Sequence, residues 1–285
     1  MRLDIVQPPY GGRMKSLEDY RDYLLHALHS AGVESNLHRI DWPDEGVPLF
    51  MGFDARADKL IDKPRIIVVT EVIGDDRLYG RNVPRDEAME WWRSAAAVAS
   101  PFPGNVAQLH KEGIPAVHLP YGYHEGMCRY EQAEEKDIDF FMVGVMNGRR
   151  ARVIGQLEKY GKKVVDSGNY SFGARRNAII ARTKVMPYPL FYDYDMFNQM
   201  RVGFLLNNGS LPVVEDSECF RRLWPGATIP SARYEDLVDL MMDVVERPVF
   251  ERELLAASGA YWWKERKVPP ITEAVAQLLE QVGAA

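Results

Sequence analysis

Residues 139–150 read Asp139-Phe140-Phe141-Met142-Val143-Gly144-Val145-Met146-Asn147-Gly148-Arg149-Arg150. The first seven form a short apolar run, the pattern of a strand buried on both faces of a parallel sheet. Asn147-Gly148 is a turn signal, and residues 150–160 read as a helix. The same alternation continues toward the C-terminus. Strands are expected at 162–166 (KKVVD), 184–187 and 211–215 (LPVVE), and a further short one at 228–230. Helices are expected at 175–181 and 196–207, the second ended by Gly209 as a C-cap. Amphipathic helices at 234–246 and 249–258 follow, then a final helix at 271–282. Alternating strands and helices predict an α/β chain with an open parallel sheet rather than a barrel or bundle.

Toward the N-terminus the same rhythm appears earlier. A strand at 2–6 runs into the breaker-rich loop 7–13, which holds Gly11 and Gly12. Ser16 can cap the next helix, whose Leu17, Tyr20, Leu24 and Leu28 share one face. This order opens many Rossmann-like domains, yet G-x-G-x-x-G is absent. Strands follow at 64–70 and 94–100, a helix at 104–112 and a strand at 114–119. The turn-rich stretch 120–126 and the acidic run 131–137 make the best boundary. Two domains are expected, 1–125 and 126–285.

The composition is that of a globular protein, with 46% hydrophobic and 27% charged residues over 285 positions. No apolar run approaches the roughly 20 residues of a membrane span, and no secretory leader pattern opens the chain. Cys128 and Cys219 lie in no metal-binding spacing, so two free thiols in a cytoplasmic protein are expected. The net charge of −6 disfavours gripping duplex nucleic acid along its backbone. The basic cluster Arg149, Arg150 and Arg152 suits a diphosphate better than a polymer, while leaving a nucleic-acid acceptor open.

Several pieces of the second half resemble the donor-binding half of GT-B glycosyltransferases. They are His118-Leu119-Pro120-Tyr121-Gly122-Tyr123-His124, Val143 to Arg150, Arg201 to Gly209, Pro212-Val213-Val214-Glu215, Tyr234 to Val238, Glu246-Arg247-Pro248 and Ala257 to Tyr261. The similarity runs from about residue 120 to 280, and its flavour is that of the family 1 and spore-maturation-type subgroup. It implies two Rossmann-like domains facing a cleft, with a C-terminal helix that could pack back on the first domain. It implies an acceptor-side first domain and a donor-side second domain. The activity implied is transfer of a hexose-like sugar from a nucleotide-diphosphate sugar, with UDP as the expected nucleotide. Neither a metal nor another cofactor is expected. One departure stands out: relatives often carry Glu where this chain has Asn198 or Phe204.

Each candidate residue has a chemical reason. Arg149 and Arg150 begin a helix after a strand, where guanidinium forks and backbone N–H groups can neutralise a diphosphate. Asn147 sits in the same turn, and Arg201 on a helix expected to face the same cleft. The segment Tyr188 to Asn198 is aromatic and acidic, so Tyr188 and Phe197 could stack a ring and Asp193, Asp195 or Asn198 could hold hydroxyls. Glu215 ends a strand and could hold a ribose diol. Gly11 and Gly12 allow close backbone approach to a ligand. For the catalytic base the candidates are Glu71, Asp75 and His124. Two other functions fit the same fold: a non-catalytic nucleotide- or partner-binding protein, and a nucleotide-sugar epimerase.

Overall fold

The computed structural model describes residues 2–6, 17–38, 46–52, 64–74, 78–79, 83–166, 172–191 and 197–284. The chain divides into two compact units. One is Met1–Tyr121 joined by Val268–Ala285; the other is Gly122–Lys267.

The first unit contains β1 (Leu3–Val6), α1 (Glu18–Ser30), β2 (Leu37–His38), β3 (Val47–Met51) and β4 (Ile66–Val68). After it come β5 (Val72–Ile73), β6 (Leu78–Tyr79), α2 (Arg85–Arg93), β7 (Ala97–Ser100), α3 (Pro103–Lys111) and β8 (Ala116–His118). Six strands form one parallel sheet in the order β2-β1-β3-β4-β7-β8, and β5 and β6 pair antiparallel beside it. Val6, Phe50, Ile67 and Val98 pack against Met89 and Trp92 of α2 and Leu109 of α3. The C-terminal helix (Ile271–Ala284) belongs to this unit and lies on β7 and β8. It buries Ala274, Val275 and Leu278. The helix cap expected at Ser16 lies outside the described residues.

The second unit is a five-stranded parallel sheet. Its elements are β9 (Ile138–Met142), α4 (Gly148–Lys159), β10 (Val164–Asp166), α5 (Gly173–Ala181), β11 (Thr183–Tyr188) and α6 (Gln199–Asn207). Next come β12 (Pro212–Glu215), α7 (Glu218–Leu223), β13 (Ser231–Ala232), α8 (Leu237–Glu246) and α9 (Val249–Glu265). The strand order is β10-β9-β11-β12-β13. Phe140, Met142, Val185 and Val213 meet Val153 and Leu157 of α4 and Leu237, Met241 and Val244 of α8 in one core. In this order the chain leaves β9 toward one edge and returns on the other side at β11. The gap between those two strands is therefore the topological switch point, where open α/β sheets bind ligands at the strands' carboxyl ends.

β2, β3, β5, β6 and α7 form where the sequence reading placed no element, and two expected elements take other bounds. The short strand expected at 228–230 forms slightly later, where Ser231 pairs with Val214. The helix expected to stop at 258 runs on through Gly259 to Glu265. Gly259 is buried, and a Cβ there would lie 3.1 Å from Leu206 Cδ2. This glycine serves the close approach of α9 to α6 and does not end the helix.

Candidate functional site

The loops after β9 and β11 are tied together by side chains from the first turn of α4. Asn147 caps α4 by accepting from Arg150 N at 2.9 Å, and its Nδ2 donates to the Phe191 carbonyl of the β11 loop. Arg150, 3% exposed, donates from Nη1 to the Val145 carbonyl at 3.0 Å and from Nε to the Pro189 carbonyl at 3.3 Å. One buried guanidinium thus spans the switch point and fixes both of its walls. Burial, together with the nearby Arg201 and Arg149 charges, pushes Arg150 down to about 10.

Arg149 is held from three sides. Its Nη1 and Nη2 form a fork with both oxygens of Glu215 at the end of β12, and Nη1 also donates to the Leu190 carbonyl at 3.2 Å. Its guanidinium lies 3.7 Å from the centroid of the Tyr234 ring, whose hydroxyl donates to the Arg149 carbonyl at 2.9 Å. Glu215 is buried and also accepts from Leu190 N at 2.9 Å. The carboxylate expected to hold a ribose diol is thus engaged in orienting Arg149.

Arg201 enters from the first turn of α6. Its Nη1 donates to the Val143 carbonyl at 3.1 Å, immediately above Gly144. Gly144 has φ +109°, and a Cβ there would sit 2.5 Å from Arg201 Nη1. Only glycine leaves room for that guanidinium. Asn198 caps α6, accepting from Met200 N and Arg201 N at 3.1 and 3.3 Å. Its oxygen, expected to meet a ligand hydroxyl, is therefore occupied by backbone.

Three guanidiniums and two capped helix N-termini, those of α4 and α6, converge at the carboxyl ends of β9 and β11. Among the described residues Glu215 is the one carboxylate bonded to them. The surplus positive charge, together with the helix dipoles, favours negative charge at this place.

The rings named from the sequence have another role. Tyr188 and Phe197 are 4% and 1% exposed. Tyr188 donates from its hydroxyl to the Asn198 carbonyl at 3.4 Å, and Phe197 packs edge-on against Trp224 at 4.7 Å. Both are packing groups beneath the site, so neither offers a face to a ligand; burial raises the Tyr188 hydroxyl above its ordinary value. Phe204, the second position of the departure from the family pattern, is buried in α6. Gly11, Gly12, Asp75, Asp193 and Asp195 lie outside the described residues.

Of the base candidates, Glu71 follows β4 at the carboxyl edge of the first unit's sheet. It is 9% exposed and accepts the Thr70 hydroxyl at 3.2 Å, while Asn105 donates to its carbonyl at 2.7 Å. His124 is in the second unit. Its Nδ1 accepts from Gly126 N at 3.0 Å, capping a short 3-10 turn (Glu125–Met127), and its backbone is clamped by the Asn207 side chain. Tyr234 and Gly144 are the site residues the sequence reading passed over. Both stood in stretches quoted for the resemblance, but each acts through a residue remote in sequence, Gly144 by making room for Arg201 and Tyr234 by stacking on Arg149.

Among the described residues there is no group of three His, Cys, Asp or Glu side chains that could hold a metal ion. None of the described helices is long and apolar enough to cross a membrane. Both cysteines are free thiols.

No protein-family model matches the sequence, and no curated protein does. Solved structures do match. Anabaena HepE in complex with UDP and glucose superposes with a TM-score of 0.61 at 8% identity, covering 100% of both chains. Sucrose-phosphate synthase from Thermosynechococcus elongatus gives 0.58 at 10% identity over 100% of both chains. AviGT4, a glycosyltransferase involved in avilamycin A biosynthesis, gives 0.56 at 11% identity, covering 100% of this chain and 99% of its own. The two parallel-sheet units and their helices thus have the fold of the GT-B glycosyltransferases.

Proposed function

We propose that this chain is a glycosyltransferase that takes a sugar from a nucleoside-diphosphate sugar, UDP-linked, and passes it to an acceptor hydroxyl. The observation that carries this reading is the convergence of Arg149, Arg150 and Arg201 with the N-termini of α4 and α6 at the switch point of the second unit. When the glycosidic bond breaks, negative charge develops on the departing diphosphate. Preoriented guanidiniums and helix dipoles stabilise that charge without reorganising. Arg201 and Arg149 are the groups we assign to the phosphates, in place of a metal ion. Arg150 is buried and keeps the two loops at their spacing. The presence of UDP in the matched HepE complex supports the choice of nucleotide. We place the acceptor with the first unit and assign Glu71 as the group that takes the acceptor proton, with Asp75 as its alternate.

Thermal unfolding against UDP, ADP and GDP, each with and without Mg²⁺ or EDTA, tests this. A ligand at about 100 times its Kd stabilises by about 2.7 kcal/mol. A shift with UDP that persists in EDTA and is lost in Arg201→Met supports the reading. A shift confined to Mg²⁺ removes the metal-independent part, and no shift with any nucleotide removes the whole.

One observation favours a binding protein without transfer. The α6 positions where relatives carry Glu hold Asn198, whose oxygen caps the helix, and the buried Phe204. Hydrolysis of UDP-glucose in the absence of an acceptor separates the two: turnover above the Arg201→Met background means transfer chemistry, and UDP binding without turnover means a binding protein.

A further inference from the structure

Outside the arginine cluster, the last two turns of α9 and the segment before β13 enclose a groove of about 300 Å³, lined by Thr228, Ser258, Tyr261, Trp262, Glu265 and Arg266. Tyr261 is 68% exposed, unusual for a large ring on a packed helix. Trp262 is half-buried and rests on the buried Trp224 at 5.3 Å between centroids. Trp224 in turn meets Trp263 at 5.1 Å. The Arg266 guanidinium lies over all three indoles, 5.1 to 6.0 Å from their centroids. This stack anchors Trp262 and fixes the aromatic wall before any ligand arrives, which lowers the ordering cost of binding.

Around the rings stand polar groups of both kinds. Thr228 Oγ1 donates to the Ser258 carbonyl at 2.9 Å, which leaves its lone pairs as acceptors. Glu265 is exposed and supplies a carboxylate, and the half-buried Arg266 borders the groove with its guanidinium. The two formal charges in the groove cancel.

We infer that this groove binds a neutral oligosaccharide. A pyranose has an apolar face of C–H groups and a rim of hydroxyls, each able to donate and accept. Aromatic walls beside a carboxylate, a guanidinium and hydroxyls match both parts. A nucleotide would set its phosphates against Glu265, and a lipid surface would bury the same carboxylate. The inference rests on the groove alone and holds whether or not the arginine cluster transfers sugar. For a transferase, such a groove would keep a glycan acceptor at high local concentration between turnovers.

Saturation-transfer difference NMR, with no nucleotide present, tests it on the full chain with maltotetraose, cellotetraose and mannotetraose as probes. The expected result is transfer to ring protons of at least one probe, weakened roughly five- to tenfold in affinity by Tyr261→Ala and lowered by Glu265→Ala. Both altered residues are exposed, and an unchanged melting temperature confirms their fold. Arg201→Met should leave saccharide binding intact while UDP binding is lost. The inference is overturned if none of the three probes shows transfer, or if transfer survives Tyr261→Ala and Glu265→Ala unchanged.

Discussion

Replacing Gly144 by alanine should disable the arginine cluster without touching any charged group. The backbone at Gly144 has φ +109°, a conformation that costs an L-residue about 1–3 kcal/mol. The added methyl would also stand 2.5, 2.8 and 2.9 Å from Nη1, Cζ and Nη2 of Arg201. Real Cβ contacts do not come so close, so the guanidinium must swing away and give up its bond to the Val143 carbonyl at 3.1 Å. That bond adds about 1 kcal/mol to the loss. For a domain of this size the sum corresponds to a fall in Tm of roughly 4–16 °C. If Arg201 contacts the diphosphate, Gly144→Ala should lose UDP affinity about as severely as Arg201→Met, while Arg201→Met alone keeps the backbone unstrained and melts closer to the parent. Differential scanning calorimetry and UDP titration on the three proteins measure both effects. The reasoning is refuted if Gly144→Ala binds UDP as the parent does, or if it melts at the parent's temperature.

Arg149→Met leaves the buried Glu215 carboxylate with Leu190 N as its remaining partner among the described residues, and should cost about 2–4 kcal/mol in chemical denaturation. The double change Arg149→Met/Glu215→Met should recover part of that loss, since no charge is then stranded. Asn208→Ala removes bonds to Arg129 N, Met127 O and Phe204 O at 2.6, 3.0 and 2.8 Å in a buried position. A loss of about 2–4 kcal/mol is expected in urea titration, with the 122–132 segment becoming the first to exchange its amide hydrogens. Asp137 is held below its ordinary value of 3.8 by bonds from Arg182 first and Lys163 next. A lowered carboxyl stabilises the fold above 3.8 and loses that contribution as pH falls further. The Tm gap between the parent and Asp137→Asn should therefore narrow below about pH 4, and narrow at any pH in high salt.

Much of this could be read from the sequence where local chemistry and tertiary need coincide. Asn147, read as the turn before a helix, stands at that helix's start and caps α4 with its side chain. The apolar run at 139–145 becomes the strand next to the switch point, with β9 at Ile138–Met142. Where a residue's role depends on a remote neighbour, local reading assigned it differently. Tyr188 and Phe197 have the composition of a ligand-stacking loop, but Trp224 and Phe220 claim Phe197 for the core. Glu215 has the position of a ribose ligand, but Arg149 arrives one helix away and takes both oxygens.

Ile271–Ala284 closes the first unit with residues synthesised after the whole of the second. At a ribosomal pace of about 5–20 residues per second, Gly122–Lys267 can complete its own core while the apolar surface of β7 and β8 still waits for Ala274, Val275 and Leu278. The unit begun first is thus finished last. A polypeptide released early, before residue 268, would carry a complete second unit beside a first one that is open to proteases and chaperones.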